Sequence, residues 1–362
     1  MKPVTVILDT NLWSYIGDEE ARPALDELLR ANGFALCLAP SVLLEALRTP
    51  KPDVRRKIVT AMVSGRPARR LQSEAESEAQ EVVAEIRRAR PGWMRRLPDL
   101  RRADSFHRWW RKGIWAAVES DLDGFLAQSA LLPLQDWDER IVLGQKEMRQ
   151  AIIASNEDWS ALDGWVLPAE DSPDWYLEGW PTGKRVEGWR ASNRDVFWDA
   201  LALAPKRHLV RYEDTTYADF VGARVDLLLM TRSRAEFTRF WFEAVDRQAV
   251  RRCWIRWAVA YAQTLTKVTG GNPRDAQHAA YLCDCDIFMT ADVRYAQTLN
   301  LVRRAAGFSM ARVVLVRRSP DQSAVEAIGH LLASPAELSL ARQGARCHPY
   351  ESGGPARSST GV

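Results

Sequence analysis

The chain has 362 residues, which at ~150 residues per domain allows about two domains, or one domain carrying a large insertion. Its 46% hydrophobic and 27% charged residues predict a packed globular core, and a net charge of +3 neither requires nor excludes a nucleic-acid partner. No apolar run reaches the ~18 residues of a membrane span, and Val4–Leu8 is too short for the apolar core of a signal peptide, so a cytoplasmic protein without membrane contact is expected.

Taken in chain order, Val4–Leu8 reads as a short buried strand, β-branched and apolar, ended by Asp9. Ala21–Arg30 has Leu25, Leu28 and Leu29 at helical spacing. Phe34–Leu38 is a second strand, and Pro40 opens a helix through Leu47 that Pro50 and Pro52 stop. Residues 74–89 fit a helix with Ala75, Ala79, Val82, Val83 and Ile86 on one face. A long helical pattern runs from near Arg234 to Gly270-Gly271. Asn272-Pro273 then reads as an N-cap followed by proline at the first helical position, with a helix from Asp275 to Cys283. Ile287–Thr290 is a strand, Val293–Asn300 a helix and Val313–Val316 a last strand. Alternating helices and apolar strands predict an α/β fold whose parallel sheet is covered on both faces. Residues 345–362 read as a disordered tail.

The small net charge hides a block pattern. Residues 1–47 carry 3 basic and 7 acidic side chains, and residues 48–112 carry 18 and 8. Residues 113–226 carry 11 and 21, and residues 227–362 carry 18 and 11. Tryptophan is also uneven: of 15, eleven lie between Trp93 and Trp198. In the basic block Arg95, Arg96, Arg101 and Arg102 are interleaved with Trp93, Trp109, Trp110 and Trp115. Arginines neutralise phosphates and indole faces stack on unpaired bases, so Arg95, Arg96, Arg101, Arg102, Trp109 and Trp110 are the candidate nucleic-acid contacts. The competing reading is a solvated basic face over core tryptophans. The acidic block 113–226 is expected either to cover the basic one or to present a solvated acidic surface.

Several chemistries are excluded. The five cysteines form no C-x-x-C pair and fit reduced thiols better than disulfides or a zinc ribbon. His107, His208, His278, His330 and His348 form no H-E-x-x-H pair, and there is neither a P-loop nor G-x-S-x-G. What remains is a set of acids placed where an α/β sheet does chemistry. Asp9 follows the first strand, Glu45 lies on the helix after the second, Asp275 is in a first helical turn, and Asp292 follows the strand Ile287–Thr290. Converging carboxylates repel unless a hard divalent cation such as Mg²⁺ or Mn²⁺ neutralises them. Taken singly, each acid also has a structural reading. Asp9 and Asp292 suit helix N-caps, Asp275 suits the end of an Asn-x-x-Asp box, and Glu45 suits a solvated helix face.

The residues around these acids resemble PIN-domain ribonucleases. Val6-Ile7-Leu8-Asp9-Thr10-Asn11 is similar to the family's opening strand, and Ala39-Pro40-Ser41-Val42-Leu43-Leu44-Glu45 to its second motif. Asp275-Ala276-Gln277-His278-Ala279-Ala280, then Ile287-Phe288-Met289-Thr290-Ala291-Asp292, resembles its last two. The resemblance covers residues 1–65 and 265–320 and leaves 66–264 as a largely helical, Trp-rich insertion into a PIN-like parallel sheet. It implies that Asp9, Glu45, Asp275 and Asp292 are catalytic, metal-binding acids. Thr290 and Asn11 would support them, with Asp286 an outlying extra acid at the far end of its strand. It further implies Mg²⁺- or Mn²⁺-dependent endonuclease activity, most naturally on RNA, leaving 5′-phosphate and 3′-hydroxyl ends. The alternatives are a structure-specific or defence DNA nuclease and a catalytically weak nucleic-acid-binding protein. A toxin with a small antitoxin partner, and a homo-oligomer, are further options. An Asp-nucleophile phosphatase fits poorly, because Asn11 stands where its second Asp belongs.

Overall fold

The computed structural model describes residues 3–65, 68–128, 134–155, 162, 186–202, 217–266 and 268–333. The fold is α/β. Its strands are β1 (Val4–Leu8), β2 (Phe34–Leu38), β3 (Arg69–Arg70), β4 (Ile287–Thr290) and β5 (Arg312–Leu315), all parallel, in the spatial order β3-β2-β1-β4-β5. In the central strand, Ile7 pairs with Cys37 of β2 on one side and with Phe288 of β4 on the other. Val6, Ile7 and Leu8 are buried, as are all four residues of β4, as expected of strands covered on both faces. Strand order departs in opposite directions from β1, toward β2 on one side and β4 on the other. That reversal is where open α/β sheets hold ligands, outside the strands' carboxyl ends.

The first crossovers follow local signals. α1 (Thr10–Asp18) starts at once after β1, with Asp9 as its N-cap. α2 (Arg22–Ala31) returns the chain to β2 through Gly33, whose φ of +73° favours glycine. α3 (Pro40–Leu47) and α4 (Pro52–Val63) each carry proline at the start, where a missing N–H costs nothing. α1 and α4 approach so closely that a Cβ on Gly17 would lie 2.7 Å from the Lys57 carbonyl oxygen. Gly17→Ala is therefore expected to lower stability by about 1–3 kcal/mol, the usual cost of overpacking, read as a fall in the denaturant midpoint at constant slope.

The described residues in the middle of the chain are mainly helical. α5 (Glu74–Ala89) buries Ala79, Val82, Val83 and Ile86, the face that the sequence periodicity marks. α6 (Arg101–Arg108) runs through a widened turn at Trp109–Gly113 into α7 (Ile114–Ser120). Then come α8 (Leu122–Gln128), α9 (Leu134–Ser155), α10 (Gly188–Ala202), α11 (Tyr217–Gly222) and α12 (Leu227–Met230). These helices share the core of the sheet: one apolar cluster runs from Val6 through Ile86, Trp115 and Phe197 to Trp254. β3 lies past residue 65 yet forms the sheet's edge, so the sheet extends beyond the sequence-based boundary. Among the described residues, ion pairs join the basic and acidic blocks at Arg56–Asp123, Arg70–Glu119 and Arg102–Asp219. The opposite block charges thus partly neutralise each other within the fold.

The helical pattern from Arg234 is not one helix. α13 (Arg234–Arg239) widens at Phe240–Ala244 and stops, and α14 (Arg251–Thr266) begins afresh. Tertiary partners take the backbone there. Arg190 donates to the Trp241 and Val245 carbonyls, and the Asp246 N–H donates to Glu85 Oε2 at 2.9 Å. Arg252 of α14 then bridges Glu81 of α5 and Asp284, which tie the middle of the chain to the approach to β4. α15 (Asn272–Ala279) begins at Asn272 rather than after it. Asn272 Oδ1 accepts from the Thr269 N–H and hydroxyl, so it braces the preceding turn and is no N-cap. α16 (Val293–Ala305) and α17 (Ala324–Leu332) complete the layers. The tail 345–362 lies outside the described residues.

Candidate metal centre

Asp9 ends β1 and is 5% exposed. Its Oδ1 accepts from the Thr10 N–H at 2.9 Å. Its Oδ2 accepts from Asn11 Nδ2 at 2.9 Å and from the Thr290 hydroxyl at 2.6 Å. Asn11 Oδ1 in turn accepts from the Ala291 N–H at 2.9 Å. Asn11 and Thr290 therefore stitch the end of β1 to the end of β4 and fix the Asp9 carboxylate at the topological reversal.

Glu45 arrives on α3. Its Oε2 accepts from the Thr10 hydroxyl and lies 2.8 Å from His278 Nε2. The other ring nitrogen of His278 is 2.7 Å from the hydroxyl of Ser41, one turn before Glu45 on the same helix. His278 is 1% exposed and sits three residues after Asp275 on α15, so both side chains leave one helix face. Asp275 Oδ2 accepts from Gln263 Nε2 of α14 at 2.7 Å. Ligand atoms of Asp9, Glu45 and His278 lie within 4.8 Å of one another.

The charges in this cluster compete. Burial pushes the Asp9 carboxyl up from its ordinary value, and the negative charge of Glu45 adds to that. Burial also pushes Asp275 up, to about 7, with Asp9 and Glu45 adding repulsion against the pull of His278. For Glu45, burial works upward but is outweighed by the His278 hydrogen bond and charge, and the carboxyl falls to about 2. For His278, burial works downward but is outweighed by Glu45, Asp9 and Asp275, and the imidazole rises to about 9. One imidazolium thus serves several acids, and the acids beyond Glu45 favour holding a proton unless another cation replaces it. A donor set of carboxylates with one imidazole fits a divalent cation such as Mg²⁺ or Mn²⁺ better than a thiolate-seeking ion.

The structure brings together five of the seven acids and supporting residues expected around the metal, Asp9, Glu45, Asp275, Asn11 and Thr290. Asp292 is exposed, and its Oδ1 caps α16 by accepting from the Tyr295 N–H at 2.9 Å, as Asp9 caps α1. Its own N–H reaches Thr290 Oγ1 at 3.0 Å, so it borders the site through Thr290. Asp286 serves the other end of β4, where its Oδ2 accepts from the backbone N–H and hydroxyl of Thr5, both at 2.7 Å. His278 belongs to no His-pair motif, and its three-residue spacing from Asp275 is the local sign that marks it.

The expected nucleic-acid contacts separate into two kinds. Trp110 is 6% exposed and its carbonyl accepts from Trp115 Nε1, so it is core and not a stacking platform, because burying both indoles fills the space beneath the widened turn. Trp109 is partly buried against the same core. Arg95 donates to the Gly222 and Val225 carbonyls and braces the fold. Arg102 pairs with Asp219, while Arg96 and Arg101 are exposed, Arg101 beside Asp99. Among the described residues no helix is long and apolar enough to cross a membrane.

Comparison of the chain with protein-family models, with curated proteins and with solved structures found no match.

Proposed function

We propose that the chain is a divalent-metal-dependent endonuclease that hydrolyses phosphodiester bonds, with RNA as substrate. The observation that carries this reading is the convergence of Asp9, Glu45, Asp275 and His278 at the carboxyl ends of β1 and β4, where the strand order reverses. Asp9, Glu45 and His278 would hold the ion, with Asp275 adjoining. Bound there, Mg²⁺ or Mn²⁺ supplies positive charge for an anionic phosphodiester and makes water acidic enough to attack it.

The side chains around the cluster do the positioning. Thr290 and Asn11 hold Asp9 Oδ2, and the Thr10 N–H holds Oδ1. Thr10 and His278 hold Glu45 Oε2. Asp275 titrates near 7, and with Gln263 on its Oδ2 the proton is carried at Oδ1. A carboxyl that gains and loses a proton near neutral pH is suited to relay one at the reacting centre. The resemblance to PIN-domain ribonucleases supports the same reading.

A catalytically weak nucleic-acid-binding protein is the second reading, favoured by the closed Glu45–His278 ion pair, which occupies donors the ion needs. Cleavage of mixed single-stranded RNA and structured DNA by the full chain separates the readings. RNA cleavage with added Mn²⁺, abolished by chelator, is expected. Preferential cleavage of the DNA assigns the activity to DNA, and no cleavage of either with Mn²⁺ rejects nuclease function.

A further inference from the structure

Ser41 and His278 share a buried hydrogen bond beside the metal centre. Ser41 is the second residue of α3 and is 2% exposed, and His278 on α15 is 1% exposed. A serine within a helix often bonds to backbone groups of its own or the preceding turn. Among the described residues the Ser41 hydroxyl bonds instead to His278 Nδ1 at 2.7 Å, across 237 residues of chain. The opposite ring nitrogen, Nε2, lies 2.8 Å from Glu45 Oε2. Both ends of the imidazole are thus held from α3, by residues one helical turn apart. Turning the ring would break two hydrogen bonds in a site closed to water, where polar groups left without partners are costly.

We propose that Ser41 is a positioning residue of the metal centre: by holding His278 at Nδ1, it lets Nε2 exchange its hydrogen bond to Glu45 for a bond to the ion without the ring turning. This rests on the reading of the cluster as a metal centre. A neutral imidazole carries a hydrogen on one nitrogen only, so Nε2 binds an ion when the hydrogen sits on Nδ1. Ser41 Oγ is the acceptor in place at that nitrogen. Metal-binding histidines are commonly oriented in this way, through the nitrogen that faces away from the ion. The distances agree. The 2.8 Å between Glu45 Oε2 and His278 Nε2 is close to the about 3 Å that separates neighbouring ligand atoms around an octahedral ion with bonds of about 2.1 Å. An ion can therefore replace the hydrogen between them with little movement of either side chain, the proton on Nε2 passing to solvent. Thr10 also donates its hydroxyl to Glu45 Oε2, so the carboxylate keeps a second anchor when that hydrogen leaves. The closed Glu45–His278 pair is then the metal-free form of the site, with both ligand atoms already in place.

Metal binding, not cleavage, tests this, so the nuclease reading is judged separately. The full chain is stripped with chelator and titrated with Mn²⁺ at pH 8, and free Mn²⁺ is read by electron paramagnetic resonance. Ser41→Ala is expected to bind about tenfold or more weakly than the parent, the usual effect of removing a group that supports a metal ligand. Ser41→Thr, which keeps the hydroxyl, is expected to stay within about threefold of the parent. In nitrogen-15 spectra of the parent, which require no variant to fold, saturating Mg²⁺ is expected to remove the hydrogen from His278 Nε2 and leave one on Nδ1. Equal Mn²⁺ affinity in the parent and in folded Ser41→Ala overturns the proposal alone, as does a His278 that keeps its Nε2 hydrogen with Mg²⁺ bound. A loss in Ser41→Thr as large as in Ser41→Ala, with thermal melts unchanged, also overturns it. No Mn²⁺ binding by the parent, or binding that persists in Asp9→Asn, overturns it together with the metal-centre reading beneath it.

Discussion

Replacing Asp9 with Asn is expected to lower metal-dependent RNA cleavage by at least about a hundredfold, since even residues that only support a metal ligand cost 10–100-fold when removed. Two effects combine. The change removes a negative charge from the cluster that would hold the ion. It also breaks the local hydrogen-bond pattern, because Asp9 accepts on both oxygens: from Thr10 N–H on Oδ1, and from Asn11 and Thr290 on Oδ2. An amide has one oxygen, so its NH₂ must face a donor. Asn11 cannot turn to help without giving up the Ala291 N–H. Cleavage is measured with Mn²⁺ on a single-stranded RNA, beside a thermal melt of the variant in chelator. Cleavage at the original rate by a folded Asp9→Asn protein would remove Asp9 from the chemistry.

Divalent metal is expected to stabilise the protein, and to do so more strongly as pH rises. His278 titrates near 9, above its ordinary 6.5, so its contribution to stability is complete below about 6.5 and is lost as pH rises through 9. Asp275 titrates near 7, above its ordinary 3.8; as a carboxyl raised by burial it costs stability as pH rises from about 4 through 7. Asp9 is raised in the same direction. Glu45, lowered to about 2, has the opposite sign, and its contribution is lost only as pH falls from about 4.5 toward 2. The metal-free protein is therefore expected to be most stable in mild acid and to weaken toward pH 9. Ligands must shed protons to bind a metal, so the ion competes with the protons on His278 and Asp275. The melting-temperature gain from saturating Mn²⁺ should be small near pH 6 and larger by about one to a few degrees near pH 8, since about 1 kcal/mol shifts a domain of 150–250 residues by 2–4 °C and a longer chain by less. A gain that is equal at both pH values, or that persists in His278→Ala, would mean that the ion binds elsewhere.

The legibility of the site followed the range of its interactions. Asp9 was readable because an apolar strand ends on it, and Glu45 because Pro40 marks the start of its helix. Asp275 was readable from its place in a first helical turn. Asp292 sits where the fourth acid was expected, and its Oδ1 caps α16 as Asp9 caps α1, because both roles begin with the same residue pattern. His278 gave no comparable signal. Its partners Glu45 and Ser41 are 233 and 237 residues away, so its three-residue spacing from Asp275 is the one local sign of the charge cluster. Trp110 failed as a base-stacking platform for a related reason: composition places an indole beside arginines but does not say which side of the helix faces the core.

By itself, the sequence determined the local elements: apolar strands, proline-started helices, the amphipathic face of α5, Asp9 and Asp292 just past the ends of strands, and Glu45 and Asp275 on helices. These depend on contacts within a few residues, where periodicity and capping act directly. Only the tertiary structure decided the rest. It added Arg69–Arg70 as the sheet's edge, broke the pattern after Arg239 by giving its carbonyls to Arg190, and paired basic with acidic blocks. It also placed β4 beside β1, so that Thr290 meets Asp9 across 281 residues of chain. The physical reason is common to all of these. A parallel sheet joins segments far apart in sequence, and the desolvated charges that meet at its end settle their protonation and partners only after the strands have packed.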